Sequence, residues 1–175
     1  MRDEEAKDLV DQCKTLHEEC LYTATTHYIM AEDESWKATL VIIVPSIVAA
    51  ICSFTVSIGG IDKLGEGKGI TALSAISVLC TTVVAIASAL GLERSADAHT
   101  QAGKLLTALR HEVRPLYETY FKDMGRSEMS AELRRLNDRY CHLIQTLPST
   151  NDDAFERARR KIKSGVFNTD HKAGE

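Results

Sequence analysis

Charge is missing from two long stretches of this chain, and other familiar signals are missing from all of it. No glycine-rich phosphate loop, no nucleophile–base–acid spacing and no pair of carboxylates at catalytic spacing occurs in the 175 residues. The expectation is therefore a protein that is not an enzyme and carries no cofactor. Only three prolines are present, Pro45, Pro115 and Pro148, so long helices meet few obligatory stops. The five cysteines, Cys13, Cys20, Cys52, Cys80 and Cys141, are odd in number and scattered. They fit a reducing cytosol better than a disulfide framework. The formal net charge of −4 excludes the bulk basic surface that nucleic acid requires. A cleavable signal peptide is not expected, because an acidic arm of 37 residues precedes the first apolar run.

The two charge-free runs organise the rest. Residues 38–61 and residues 69–92 are 24 residues each without an ionisable acid or base. A helix needs about 20 apolar residues to cross the hydrocarbon core of a bilayer, so each run spans once with some tilt to spare. Between them, Asp62 to Lys68 carries four charges and two glycines in seven residues. That composition predicts a polar turn and a hairpin, with both termini on one side. A hairpin buried in a soluble protein is the competing reading, but the polar remainder is too short to enclose it. Lys37, Arg94, Lys104 and Arg110 flank the outer ends, against Lys63 and Lys68 in the turn. This predicts a multi-pass membrane protein with both termini cytoplasmic. Because neither run holds an ionisable group, a buried proton relay is not indicated.

Small and hydroxyl residues recur on one face of each run. In the first they are Ser46, Ala49, Ala50, Ser53 and Ser57. In the second they are Ser74, Ser77, Thr81, Ala85 and Ser88. Such faces serve close helix packing in lipid, which is the commoner use, or line a narrow polar pathway in an oligomer. Pro45 removes a backbone donor and is a candidate kink.

The flanks are helical and polar. Residues 1–37 hold ten acids and four bases. Within them, residues 3–34 read as an amphipathic helix with a stripe of Leu9, Cys13, Leu16, Cys20, Ala24 and His27. The cluster Glu32 to Ser35 suggests a bend or restart before Trp36, an interfacial anchor. The second span shows no helix stop at its end. Its continuation carries a stripe of His99, Ala102, Leu106, Leu109, Val113, Leu116 and Tyr120, with Gly103 a weak point and a bend possible at Pro115. Cys13, Leu16, Cys20 and His27 are thus expected to pack antiparallel on His99, Leu106, Leu109 and Val113 as a stalk. Residues 93–167 continue as cytoplasmic helices. One is capped by Ser127 or Ser130, with a stripe of Met129, Leu133, Leu136, Tyr140, Leu143 and Leu147. The last is capped by Asn151 or Asp152, covers Asp153 to Lys163 and ends at Gly165. Residues 168–175 read as a disordered tail. The fold class is all-α: a two-helix transmembrane hairpin (38–92) flanked by cytoplasmic helices.

Three polar clusters invite chemistry. Cys13, His17 and Cys20 share a helix face and are zinc-type ligands, but no fourth ligand is specified and core contacts have the same spacing, so no metal is assigned. His99 and His111 can titrate near neutrality, although a structural hydrogen bond is the commoner role. Arg157, Arg159, Arg160, Lys161 and Lys163 form a basic run suited to anionic lipid, an acidic partner or simply solvent.

The order of these parts resembles the SLATT family of prokaryotic membrane effectors. Trp36 stands before the first span. Glu93 to Arg110 (ERSADAHTQAGKLLTALR) is similar to the family's run of Ala and His, then Gly, then Leu and Arg. Glu132 to Tyr140 (ELRRLNDRY) and Ala154 to Ala158 (AFERA) look familial too. Lys104 and Leu105 stand where a bulkier aromatic is expected nearby. The resemblance implies a homo-oligomeric, regulated, membrane-disrupting or pore-forming effector of bacterial antiviral, nucleotide-signalled defence. It also implies the inner membrane as the location, membrane lipid as a partner and a separately encoded nucleotide-generating or sensor protein as another. The rival expectation is a membrane-anchored helical scaffold that recruits a soluble partner.

Overall fold

A computed structural model describes residues 2–57 and 68–166. All regular structure in them is helical, with no strand among the described residues. In order these are α1 (Arg2–Ser57), α2 (Lys68–Leu90), α3 (Leu92–Glu118), a 3₁₀ turn (Tyr120–Lys122), α4 (Arg126–Thr146) and α5 (Asp152–Lys163). The expected turn lies, up to residue 67, outside the described residues, as does the expected tail at 168–175. The chain forms two compact units, one of Met1–Ala31 with Asp97–Glu175, the other of Glu32–Ala96.

The first unit is a helical bundle. The start of α1, α3 and α4 close over Cys13, Leu16, Cys20, Leu109, Val113, Leu116, Met129, Leu133 and Leu136. The spacings of three and four place these residues on one stripe of each helix, and burying that stripe holds the bundle together. A second, smaller cluster seats Ala154 and Ala158 of α5 on Ile29 and Met30 of α1. Two alanines four residues apart leave α5 a flat face that approaches α1 closely. Asn151 Oδ1 accepts a 2.8 Å hydrogen bond from the Ala154 amide, capping α5 as the sequence suggests. Gly165, at φ 81°, ends it with its amide donating to the Ile162 carbonyl.

The second unit is the pair of apolar helical segments. Each is long and apolar enough to cross a membrane, and almost all of that apolar surface is exposed. Leu40, Ile43, Val44, Ile47, Ile51 and Phe54 point outward from α1, and Val78, Leu79, Ile86 and Leu90 from α2. In water such surface is untenable; in lipid it is what a span presents. The shielded positions are Ala38, Val41, Pro45, Val48, Ala49 and Cys52 on α1, and Leu73, Cys80, Val84, Ala87 and Gly91 in the second segment. They form one seam on each helix, built mostly of small or β-branched residues, which allow close approach.

Four local expectations are corrected. Helix α1 runs unbroken through Glu32 to Ser35, because no residue from Met30 to Val44 is Gly or Pro and nothing there interrupts the backbone ladder. Conversely, the helix after the second span does stop. Gly91 adopts φ 64°, a left-handed conformation that glycine adopts without strain, and separates α2 from α3 by one residue. Helix α4 starts from an extended Gly125 with no side-chain cap, rather than from Ser127 or Ser130. Tyr120 leaves the α3 stripe and is half exposed, because α3 ends at Glu118, three residues after Pro115.

Candidate functional site

Within the first unit, α1 and α3 meet antiparallel in a readable register. His27 faces His99, Tyr28 lies against Gly103, and His17 meets Arg110. As the number rises on one helix it falls on the other. Gly103 is required by this fit: a Cβ there would stand 2.8 Å from the Tyr28 ring. The Tyr28 hydroxyl lies 3.5 Å from the Thr107 hydroxyl, and Thr107 in turn donates to the Gly103 carbonyl.

His27 and His99 are buried and joined by a 2.9 Å Nδ1–Nδ1 hydrogen bond. One ring must carry its proton on Nδ1 and the other must leave that nitrogen bare, so the pair is stable with at least one ring neutral. Burial, and then the facing imidazole, push the His27 pKa down to about 4. His17 accepts from the Arg110 Nε at 2.9 Å, with the Tyr117 ring edge-on at 5.6 Å. Burial and then the Arg110 charge hold its pKa at about 4 as well. His111, by contrast, lies exposed on α3.

Cys13 and Cys20 are fully buried among the leucines of this core. Burial raises both thiols, Cys20 to about 12, so neither is a ready thiolate. The Cys13, His17 and Cys20 face is therefore core, with its imidazole nitrogen occupied by a guanidinium. Among the described residues no group of three or more His, Cys, Asp or Glu could hold a metal ion. Leu16, Leu106, Leu109 and Val113, the other stalk positions singled out by spacing, are all buried. What spacing did not identify is the His27–His99 bond, which joins positions 72 residues apart, and the Glu112–Arg139 ion pair at 2.7 Å between α3 and α4.

Within the second unit the hydroxyl-bearing faces are not the seam. Ser46, Ser53, Ser74, Ser77, Thr81 and Ser88 are all exposed, while the Ser57 side chain lies outside the described residues. At 100° per residue the hydroxyl row sits roughly a quarter to a third of a turn round from the seam on each helix. The offset has the same rotational sense on both. Successive spans of a two-span hairpin run antiparallel, so equal offsets bring both rows to the same side of it. The Ser46, Ser53 and Thr81 hydroxyls each donate to the carbonyl four residues earlier, at 2.7, 2.9 and 2.9 Å. Their donors are thereby satisfied in lipid, and their oxygens still have accepting capacity.

Comparison with known proteins places these parts together. No curated protein and no solved structure matches the chain. A family described as "SMODS and SLOG-associating 2TM effector domain family 4" matches residues 9–169, which take in the stalk helices, both apolar segments and the α5 helix. The chain belongs to that family of two-transmembrane effector domains and is a membrane-associated effector.

Proposed function

We propose that this protein is a regulated pore-forming or membrane-disrupting effector of bacterial antiviral defence, acting in the inner membrane as a homo-oligomer with both termini cytoplasmic. One observation carries the reading: the hydroxyl rows of both spans lie on one side of the hairpin and outside its own seam. A chain that used these residues only to hold its two spans together would turn them inward. Turned outward on a common side, they suit contacts between copies and a polar path along the oligomer axis. The action is physical rather than catalytic. Control comes from a separately encoded partner that makes or senses a nucleotide signal, consistent with a family named for its association with SMODS and SLOG. The bundle of α1, α3 and α4 is the part such a signal would reach, since it is folded and mostly polar outside.

The test replaces Ser53 and Thr81 by Leu together. Both sites are exposed and lipid-compatible, so the variant should insert and cross-link into the same oligomers as the parent while losing toxicity. Unchanged toxicity would exclude the hydroxyl side as the path. Exchanging the whole hairpin for an unrelated two-span hairpin should also abolish activity. Retained function after that exchange would identify a scaffold instead.

A further inference from the structure

Helices α1 and α4 leave an open groove of about 430 Å³ between them. Its floor is apolar, made of Leu9, Leu16 and Leu133, and Leu16 and Leu133 belong to the buried core. Every residue that lines it lies in the first unit. The volume falls within the range of small-molecule sites, which join an apolar lining to a few placed polar groups. From α1 come Gln12, Thr15 and Glu19, and from α4 come Ser130, Arg134 and Asn137. Spacings of three and four residues put each trio on one helix face, over about 10 Å of helix.

The two walls differ in hydrogen-bonding character. The α1 wall offers mainly acceptors. The Gln12 amide nitrogen is turned to Asp8, to which it donates at 3.0 Å, and the Thr15 hydroxyl donates to the Asp11 carbonyl at 3.0 Å. That leaves the Gln12 carbonyl oxygen, the lone pairs of the Thr15 oxygen and the Glu19 carboxylate. On the α4 wall the donors are unspent. Among the described residues, no hydrogen bond or ion pair engages Ser130, Arg134, Asn137 or Glu19. Glu19 and Arg134 line the same groove without pairing to each other, so it keeps a negative wall and a positive one. An arginine fork, a hydroxyl and an amide on one face supply more donors than a single carboxylate takes up, and they suit the terminal oxygens of a phosphate. The acceptors opposite suit N–H groups, and the leucine floor suits an apolar ring between the two.

We propose that this groove binds a small organic phosphate carrying an amino-substituted ring, with the phosphate on Arg134, Ser130 and Asn137 and the amino group on Glu19. A nucleoside monophosphate has that pattern. As a point of control the site rests on the effector reading above. It makes the bundle itself the reader of the signal, and the separate component the enzyme that supplies the phosphate compound. As a binding site it stands without that reading.

The experiment is calorimetric titration of the full chain in detergent micelles. The probes are adenosine monophosphate, purine riboside monophosphate, which lacks the amino group, and adenosine, which lacks the phosphate. Adenosine monophosphate should bind about tenfold more tightly than either of the others. Arg134→Gln should weaken it by about tenfold to a hundredfold and erase its advantage over adenosine. Glu19→Gln should erase its advantage over purine riboside monophosphate. Arg135→Gln removes the same charge one residue along, where Arg135 is paired with Glu132 at 2.6 Å, and should leave binding unchanged. Glu19, Arg134 and Arg135 are exposed, so all three variants should match the parent in circular dichroism. No binding of adenosine monophosphate at millimolar concentration would overturn the proposal, as would equal affinity for the three compounds. Equal losses from Arg134→Gln and Arg135→Gln would overturn it too. These titrations involve no membrane activity, so their failure leaves the effector reading standing, and a non-toxic chain that binds as described leaves the groove assigned.

Discussion

Folding alters the protonation of His17 and His27 in the pH range nearest neutrality. Both are held neutral, with pKa values near 4 against about 6.5 in an unfolded chain. The direction of the linkage follows from that depression. Between those pH values the unfolded chain binds protons that the folded one refuses, so stability falls as pH drops from about 6.5 towards 4. At most about 1.4 kcal/mol is lost per pH unit per histidine, less for His17, which is only partly buried. Thermal melts of the full chain in detergent should therefore fall between pH 7 and pH 5, and His27→Gln should flatten that dependence. An unchanged slope would show that folding does not depress the His27 pKa. Leu109 is the plainer case. It is fully buried at the centre of the bundle, and Leu109→Ala should cost about 2–5 kcal/mol, read as a lowered melting temperature. The Glu112–Arg139 pair is close at 2.7 Å but solvent-exposed, so Glu112→Gln should change stability by less than about 1 kcal/mol.

Among the elements, what was legible in the sequence was periodicity. The stripes of α1, α3 and α4 recur every three or four residues, and burial follows Cys13, Leu16, Cys20, Leu109, Val113, Met129, Leu133 and Leu136 along them. Helix ends were legible where a residue outside the spans marks them, as Asn151 and Gly165 do for α5. The stop at Gly91 was not, because glycine is tolerated inside spans and its left-handed φ is set by the backbone, not by a neighbouring signal. Gly91→Ala should cost about 1–2 kcal/mol if the left-handed turn is kept, with Gly91→Asn closer to the parent. If Ala instead fuses α2 with α3, helix content should rise and the melting temperature should not fall. The capping bond is testable in the same way: Asn151→Ala should lower the stability of α5 by about 1 kcal/mol, seen as faster amide exchange across Asp152–Lys163. The candidate site was half legible. Spacing put the hydroxyls on one face of each span, but only the seam formed by Ala38, Pro45, Val84 and Ala87 settles that this face is turned away from the partner span.

The whole molecule comprises a folded helical bundle and two apolar segments that expose nearly all of their surface. A fold that leaves Ile47, Ile51, Phe54 and Leu79 uncovered needs lipid or other copies of itself to be stable. Membership of a two-transmembrane effector family gives that surface its purpose. The measurement that tests the account most directly is membrane potential, followed with a voltage-sensitive dye in bacteria carrying the gene with its neighbours during phage infection. Depolarisation should begin after infection, accelerate with expression level, and be absent from the Ser53→Leu, Thr81→Leu variant. A potential that holds steady through infection while the protein is present and oligomeric would contradict it.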